Sequence, residues 1–182
     1  MASTGAAPQP VVLVLASGRG ERFQASGGQV PKLRALLAGV PVLQRTLAAV
    51  RASGLPWHLE DAGHPGMGDS IAAAVRATRD APGWLVLPAD LPLVQPSTLQ
   101  AVARALAGHE AVVPVFQGRR GHPVGFAAAC GAELAGLTGQ QGAAPVLKRR
   151  GALELAVDDI GCVTDIDTVA DLAEAQRRLA GA

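Results

Sequence analysis

The fold is decided by the segment VVLVLASGRGERFQASGGQVPK, residues 11–32. Its first six residues, 11–16, form an uninterrupted aliphatic run, which is typical of a strand covered by helices on both faces. A loop rich in glycine and basic residues follows at once and ends at Lys32, one of only two lysines in the chain. In open α/β sheets, ligands bind beyond the carboxyl ends of the strands. The segment therefore predicts a central parallel strand that leads into a binding loop.

Strand and helix patterns alternate along the rest of the chain. Strands are predicted at residues 84–89, 111–116, 124–129, 153–157 and 162–164. Helices are predicted at residues 41–54, 69–78, 96–108 and after Thr168. Helix capping is expected from Asp69, from the pair Ser97 and Gln100, and from a capping box of Thr168 and Asp171. The alternation predicts an α/β fold, a three-layer α/β/α sandwich with a Rossmann-like, mostly parallel sheet.

Length, charge and cysteine usage limit the classes of function. Residues 1–10 are expected to form a disordered tail and residues 11–182 a single domain. A formal charge of +1 with 17% charged residues gives no basic field for nucleic acid or an anionic membrane. Cys130 and Cys162 lack CxxC spacing and predict two buried, reduced thiols. Without a signal-peptide pattern or an apolar run of ~18 residues, we expect a cytoplasmic protein.

The glycine loop has two interpretations on spacing alone. Gly18 and Gly20 let backbone N–H groups turn toward an anion, while Arg22 and Lys32 add positive charge. Two familiar phosphate loops do not match, because Phe23 stands at the third glycine of GxGxxG and GxxxxGK[ST] is absent. A phosphate-binding loop and a tight turn with solvated arginines therefore both stay open. A lysine among fourteen arginines favours a compact point charge at position 32.

Five sequence strings occur in a fixed order between Val11 and Leu179: LASGRGERF with a following lysine, GMGDSIAAAV, LPADLPLV, RRGHPVGF and DIDTVADL. In this order they resemble the MobA-like NTP transferases, most closely the molybdenum cofactor cytidylyltransferase (MocA-like) branch. The resemblance implies the fold of the nucleotide-diphospho-sugar transferases and a nucleotidyltransferase-like domain over residues 11–182.

The same resemblance implies a reaction and its partners. The reaction is the Mg²⁺-dependent transfer of CMP or GMP from a nucleoside triphosphate to a molybdopterin-type phosphate, with release of pyrophosphate. The implied partners are the nucleoside triphosphate, a small phosphorylated acceptor such as molybdopterin, and a molybdoenzyme or its chaperone that receives the product. Neither nucleic acid nor a membrane is implied as a partner.

The resemblance also assigns roles to individual residues. Arg22 and Lys32 would hold the β- and γ-phosphates and, with Asp90, form the catalytic set. Asp90 and Asp165 would bind the metal. The acceptor phosphate would be bound by Arg120 and His122. The residues implied to bind the nucleotide are Leu15, Ala16, Ser17, Gly18, Gly20, Arg22 and Lys32 in the first string and Gly66, Met67, Gly68 and Ser70 in the second.

Simpler structural interpretations stand beside these roles. Asp90 lies among aliphatic residues at an expected strand end, which fits either a Mg²⁺ ligand or a turn cap. Asp167 is assigned to the N-terminus of the last helix, and Arg120 with His122 fits a charged turn between two strands. Surface or loop positions are expected for three other histidines, His58, His64 and His109.

Three departures from the family pattern qualify the resemblance. The loop between Phe23 and Lys32 is longer, and residues 51–65 leave room for at best a very short strand. The segment TGQQGAAP, residues 138–145, has Gln140 and Ala144 where the family has an acid and an arginine. A transferase for a sugar phosphate or another small phosphate therefore stays open, as does a nucleotide-binding module that has lost catalysis. An NAD-dependent oxidoreductase is disfavoured by Phe23.

Overall fold

The computed structural model describes residues 8–181, so most of the tail predicted at residues 1–10 lies outside the described residues. The strands are β1 Val11–Leu15, β2 Leu36–Leu37, β3 Val40–Pro41, β4 Trp57–Glu60, β5 Gly83–Pro88, β6 Ala111–Phe116, β7 Arg119–Arg120, β8 Val124–Ala127 and β9 Leu153–Ala156. The helices are α1 Glu21–Ala25, α2 Val42–Ala52, α3 Met67–Ala77, α4 Pro96–Ala105, α5 Gly131–Ala135, α6 Ala144–Arg150 and α7 Val169–Ala180.

The central sheet has seven strands in the order β4-β1-β5-β8-β6-β7, with β9 also paired to β6. Strands β4, β1, β5, β6 and β9 run in one direction, whereas β8 and β7 run against them. The opening strand β1 lies between β4 and β5 and is parallel to both. The predicted α/β fold with a mostly parallel sheet is thereby confirmed.

Helices cover both faces of this sheet because β1 is apolar on both sides. Val12 and Val14 pack with residues of α2 and α4 on one face. Leu13 and Leu15 pack with residues of α3, α5 and α6 on the other face. A third cluster around Phe23 joins α1, the β2-β3 hairpin and α7. These layers leave the carboxyl ends of β1 and β5 open, which places the following loops at one edge of the sheet.

The predicted strand at residues 162–164 is wrong. The chain forms a 3₁₀ turn over Ile160–Val163 instead, because the Asp159 side chain accepts a hydrogen bond from the Gly161 N–H at 2.8 Å and caps it. Gly161 also lies against the Leu93 carbonyl, where a side chain would not fit. The short strand expected before Gly66 is present as β4.

Two of the three predicted helix caps are also wrong. Helix α3 begins at Met67 rather than at Asp69, whose carboxylate accepts from the Gly139 N–H at 3.0 Å. At α4 neither Ser97 nor Gln100 caps the helix, since Asp159 accepts from the Gln95 N–H at 2.9 Å and from the Thr98 hydroxyl at 2.7 Å. Local spacing cannot reveal this contact, because Asp159 lies about sixty residues further along the chain.

The C-terminal capping box is confirmed. The Thr168 hydroxyl accepts from the Asp171 N–H at 3.2 Å, and the Asp171 carboxylate accepts from the Thr168 N–H at 2.7 Å. Cys130 and Cys162 are both buried and reduced, as expected. Within residues 8–181, no helix has the length and apolar character needed to cross a membrane.

Candidate functional site

A cleft of about 620 Å³ opens at the carboxyl ends of β1 and β5. Ten of the residues predicted from sequence line it: Leu15, Ser17, Gly18, Gly20, Arg22, Lys32, Gly66, Met67, Ser70 and Asp90. Two further side chains, His64 and Gln140, line the side near Gly66. The cleft therefore joins the glycine loop, the start of α3 and the end of β5, which are far apart in sequence.

The glycine loop is bent by Gly20, the residue that precedes α1. Gly20 has φ +65°, a left-handed conformation that favours glycine. A Cβ at this position would lie 3.2 Å from the Lys32 Cβ, so the loop and Lys32 pack closely. Gly18 is different, because nothing lies within 4 Å of a Cβ placed there. The bend thus brings Lys32 back to the strand from which the loop starts.

The centre of the cleft is a network of ion pairs. Lys32 Nζ lies 2.6 Å from Asp90 Oδ2 and 3.2 Å from Asp167 Oδ1. Arg22 Nη1 lies 2.6 Å from Asp167 Oδ2. The Lys32, Asp90 and Asp167 side chains are only 13%, 16% and 22% exposed, so solvent screens their charges weakly. Both cations predicted to hold phosphates therefore contact acids in this cleft.

The network keeps Lys32 charged. Burial alone would lower the pKa of Lys32, but the charge of Asp90 and the hydrogen bonds to Asp90 and Asp167 outweigh it and raise the pKa. Lys32 is therefore an ammonium group at neutral pH, as a phosphate ligand must be.

The carboxylates of the cleft fit a divalent cation. Among the described residues, no hydrogen-bond partner reaches the buried Asp90 Oδ1, so this oxygen is available to a ligand. Burial first, and then the nearby charges of Asp167 and Asp90, raise the pKa of Asp165. Residues 8–181 contain no cluster of three or more His, Cys, Asp or Glu side chains arranged to bind a metal. A divalent cation that takes few protein carboxylates, as Mg²⁺ does, would complete its shell here with waters or phosphate oxygens.

Asp167 faces the cleft, whereas Asp165 is not among the residues that line it. The assignment of Asp167 to the helix N-terminus is wrong, because the Asp171 carboxylate accepts the hydrogen bonds from the Asp167 and Thr168 N–H groups. The Asp167 side chain is thereby left to contact Arg22 and Lys32. Sequence spacing alone did not reveal that Asp167 faces the cleft, since either Asp167 or Asp171 could accept hydrogen bonds at the start of α7.

The two residues predicted to bind the acceptor, Arg120 and His122, differ in their exposure. His122 lies close enough to Asp90 and Asp165 for their charges to act on it, but burial dominates and lowers its pKa. Arg120 lies in β7 and pairs with Glu154 at 2.6 Å, with 61% of its side chain exposed. Neither residue lines the cleft, nor do Ala16 and Gly68, which were predicted to bind nucleotide. The role of Arg120 and His122 in acceptor binding stays a prediction.

The wall beside α3 is built from backbone contacts. The Gly68 N–H donates to the Gly139 carbonyl at 2.8 Å, and a Cβ on Gly66 would clash with the same carbonyl. Gln140 Nε2 donates to the Pro65 carbonyl at 2.7 Å. The segment that departs from the family pattern therefore packs on the GMG turn and forms part of the cleft.

Two functional candidates of this wall, Glu60 and His64, were missed from sequence. Glu60 ends β4, and its Oε1 accepts from His64 Nε2 at 3.0 Å. The Ser17 hydroxyl donates to the Glu60 carbonyl at 3.4 Å, which ties β4 to the glycine loop. A glutamate at a strand end followed four residues later by a histidine was the available signal.

Sequence comparison identifies the family. Residues 48–155 match the family described as the MobA-like NTP transferase domain. The protein belongs to this family. It is 35% identical over 133 residues to a 2-C-methyl-D-erythritol 4-phosphate cytidylyltransferase of Frankia casuarinae, covering 60% of this chain and 49% of the relative. A bifunctional protein GlmU of Desulfitobacterium hafniense is 26% identical over 130 residues, covering 60% of this chain and 28% of GlmU. The chain thus spans about half, or less, of the length of the curated relatives it matches.

Solved structures share the fold over nearly the whole chain. Rv0371c of Mycobacterium tuberculosis H37Rv is 25% identical with a TM-score of 0.79, covering 95% of this chain and 100% of its own. A structure of Rv0371C in complex with manganese gives 23% identity and a TM-score of 0.73, covering 93% and 98%. The molybdopterin-guanine dinucleotide biosynthesis protein A of Archaeoglobus fulgidus gives 20% identity and 0.68, covering 94% and 100%.

Proposed function

We propose that the protein is a Mg²⁺-dependent nucleotidyltransferase, which transfers CMP or GMP from a nucleoside triphosphate to a molybdopterin-type phosphate and releases pyrophosphate. The observation that carries the proposal is one cleft shared by the glycine loop, Lys32 and Arg22 with the carboxylates of Asp90 and Asp167. Membership of the MobA-like family supports it.

The cations of the cleft suit a polyanionic substrate. At 4 Å and an effective dielectric constant near 20, two unit charges interact by about 4 kcal/mol. Arg22 and Lys32 would hold the β- and γ-phosphates and stabilise the charge that develops on the leaving pyrophosphate. Arg22 is largely exposed, at 77% of its side chain, so it can exchange Asp167 for a phosphate oxygen without a change of the fold.

The proposed step needs no general base. An oxygen of the acceptor phosphate monoester attacks the α-phosphorus, an O–P bond forms, and the bond from the α-phosphorus to the bridging oxygen of pyrophosphate breaks. The attacking oxygen is already anionic, so no proton has to move. This agrees with the phosphate side of the cleft, where Asp90 and Asp167 pair with Lys32 and Arg22.

Asp90 and Asp167 would hold the divalent cation inside the cleft, at the carboxyl-end edge of the sheet. Asp165, which the family resemblance assigns to the metal, would add negative charge behind them. When bound, Mg²⁺ would shield the charge between the two phosphates and polarise the α-phosphate. The manganese complex of Rv0371C supports a divalent cation in this fold.

Another acceptor class is favoured by a specific observation. Gln140 and Ala144 are neutral where the family has charged residues, and the Frankia relative is a cytidylyltransferase of 2-C-methyl-D-erythritol 4-phosphate. A small phosphorylated alcohol is therefore the second candidate acceptor.

With molybdopterin as acceptor, the product would pass to a molybdoenzyme or its chaperone. The reduced Cys130 and Cys162 support a cytoplasmic location.

The test is pyrophosphate release from CTP or GTP with Mg²⁺ in the presence of each acceptor. Release with molybdopterin supports the proposal, and release only with 2-C-methyl-D-erythritol 4-phosphate supports the second candidate. Tight binding of a triphosphate without release under any condition would contradict an enzyme and favour a nucleotide-binding module.

A further inference from the structure

The wall of the cleft beside α3 contains a buried carboxylate with three donors. Glu60 is only 10% exposed, and its oxygens accept from the Ala62 N–H at 3.2 Å, His64 Nε2 at 3.0 Å and His58 Nε2 at 3.4 Å. Burial would raise the pKa of Glu60, but these donors outweigh it and lower the pKa. Glu60 is therefore ionised and acts only as an acceptor.

An ionised Glu60 determines which nitrogen of His64 carries the hydrogen. Since the carboxylate only accepts, Nε2 of His64 must be the donor in their 3.0 Å hydrogen bond. In the neutral form of the imidazole, which has one donor and one acceptor, Nδ1 of His64 is then the acceptor. His64 lines the cleft and can offer that acceptor to a bound ligand.

Gln140 is restricted in a similar way. Its Nε2 donates to the Pro65 carbonyl at 2.7 Å, which leaves Oε1 as a free acceptor. The hydrogen bond from the Gly68 N–H to the Gly139 carbonyl holds this segment on the same side of the cleft as His64. Two side chains of one wall thus each offer an acceptor, although the second Nε2 hydrogen of Gln140 also stays available.

We propose that His64 and Gln140 select a nucleobase that carries an exocyclic amino group, and that Glu60 is the positioning residue that fixes the tautomer of His64. This inference rests on the proposed function, in which the cleft binds a nucleoside triphosphate. Cytosine, adenine and guanine each present an amino group that can donate two hydrogens. Uracil has a carbonyl oxygen where cytosine has its amino group, and that oxygen would face an acceptor. Hypoxanthine has only a C–H where guanine has its amino group, so the hydrogen bond would be lost.

The experiment compares matched pairs of triphosphates by calorimetry with Mg²⁺ in mildly alkaline buffer: CTP against UTP, and GTP against ITP. In at least one pair, the wild-type protein should bind the nucleotide with the amino group more tightly than the nucleotide without it. The expected difference in Kd is about tenfold for each hydrogen bond that the second nucleotide cannot form. His64→Ala and Gln140→Ala should each reduce that preference. Gln140 is exposed, so its substitution does not endanger folding.

Glu60→Gln tests the positioning role, because an amide can donate to His64 as well as accept from it. The preference should fall, and ¹⁵N NMR of the imidazole should change from the Nε2–H tautomer to a mixture. His58→Ala is the matched control, since His58 also contacts Glu60 but does not line the cleft. It should keep both the preference and the tautomer.

Three results would overturn the inference. Equal binding within both pairs contradicts selection of the amino group, and unchanged preference in both His64→Ala and Gln140→Ala contradicts the assignment to these residues. In either case triphosphates still bind, and the proposed function stands. If no triphosphate binds with Mg²⁺, the proposed function fails and this inference fails with it.

Discussion

The two walls of the cleft are built by different physical means. On the phosphate side, Lys32 Nζ lies 2.6 Å from Asp90 Oδ2 and 3.2 Å from Asp167 Oδ1. On the side near α3, glycine backbone from Gly66 and Gly68 packs on the segment that contains Gly139. The first wall is adjustable, because ion pairs can exchange partners for phosphate or metal. The second wall is fixed by backbone contact, which suits recognition of a flat, uncharged group.

The largest effect should come from the charged wall. Asp90→Asn keeps the size of the side chain but removes the charge that would face a divalent cation. We expect the rate of pyrophosphate release to fall by about 10²- to 10³-fold, as for loss of one preorganised electrostatic group. The measurement is steady-state release at saturating Mg²⁺.

Asp80→Asn is the matched control for Asp90→Asn. Asp80 is exposed and lies in the turn that follows α3, outside the cleft. It should leave the rate unchanged. A variant Asp90→Asn protein that keeps the wild-type rate would show that the carboxylate does not take part in the reaction.

A substitution in the fixed wall should lower the free energy of unfolding rather than the rate of the reaction. Gly66→Ala places a Cβ against the Gly139 carbonyl, which cannot move without breaking the hydrogen bond from Gly68. We expect a loss of about 1 to 3 kcal/mol in the free energy of unfolding, as for overpacking at a rigid site. Urea denaturation measures it.

Gly18→Ala is the matched substitution on the other wall, since nothing lies within 4 Å of its Cβ. The free energy of unfolding should change by less than about 0.5 kcal/mol. Equal losses for Gly18→Ala and Gly66→Ala would contradict the distinction between an adjustable and a fixed wall.

Sequence revealed more of the charged wall than of the fixed one. Lys32 and Asp90 follow strands or loops whose local patterns are clear, so their meeting at one sheet edge follows from the fold class. The contact between Gly68 and Gly139 joins residues about seventy positions apart, and no local pattern reports it. The same limit explains why the contact of Asp159 with the start of α4 was missed. Glu60 and His64 are only four residues apart, so for this pair a local signal was present. Asp167 was misassigned because two acids near one helix start have the same local signature.

The charged wall should also make the free energy of unfolding depend on pH, which is a smaller effect. The pKa of Lys32 is raised above its ordinary 10.5, so its ion pairs stabilise the folded state below that pH. The contribution should be lost as pH rises through the higher pKa of the folded state. The free energy of unfolding of the wild type and of Lys32→Met should therefore converge above pH 10.5.

Lys148→Met is the control for this titration, because Lys148 is the only other lysine and does not line the cleft. A constant difference between the wild type and Lys32→Met would contradict the role of Lys32 as a charged partner of Asp90 and Asp167.

The smallest effect is expected at Arg120, which lies outside both walls. Its ion pair with Glu154 is exposed, and such pairs contribute about 0 to 1 kcal/mol to stability. Because Arg120 does not line the cleft, Arg120→Ala should leave the KM for the acceptor phosphate within about twofold, a change worth less than 0.5 kcal/mol. A KM that rises tenfold or more would instead support the acceptor role predicted from sequence. The acceptor would then have to extend past His122 toward β7, and the site would reach beyond the cleft between the two walls.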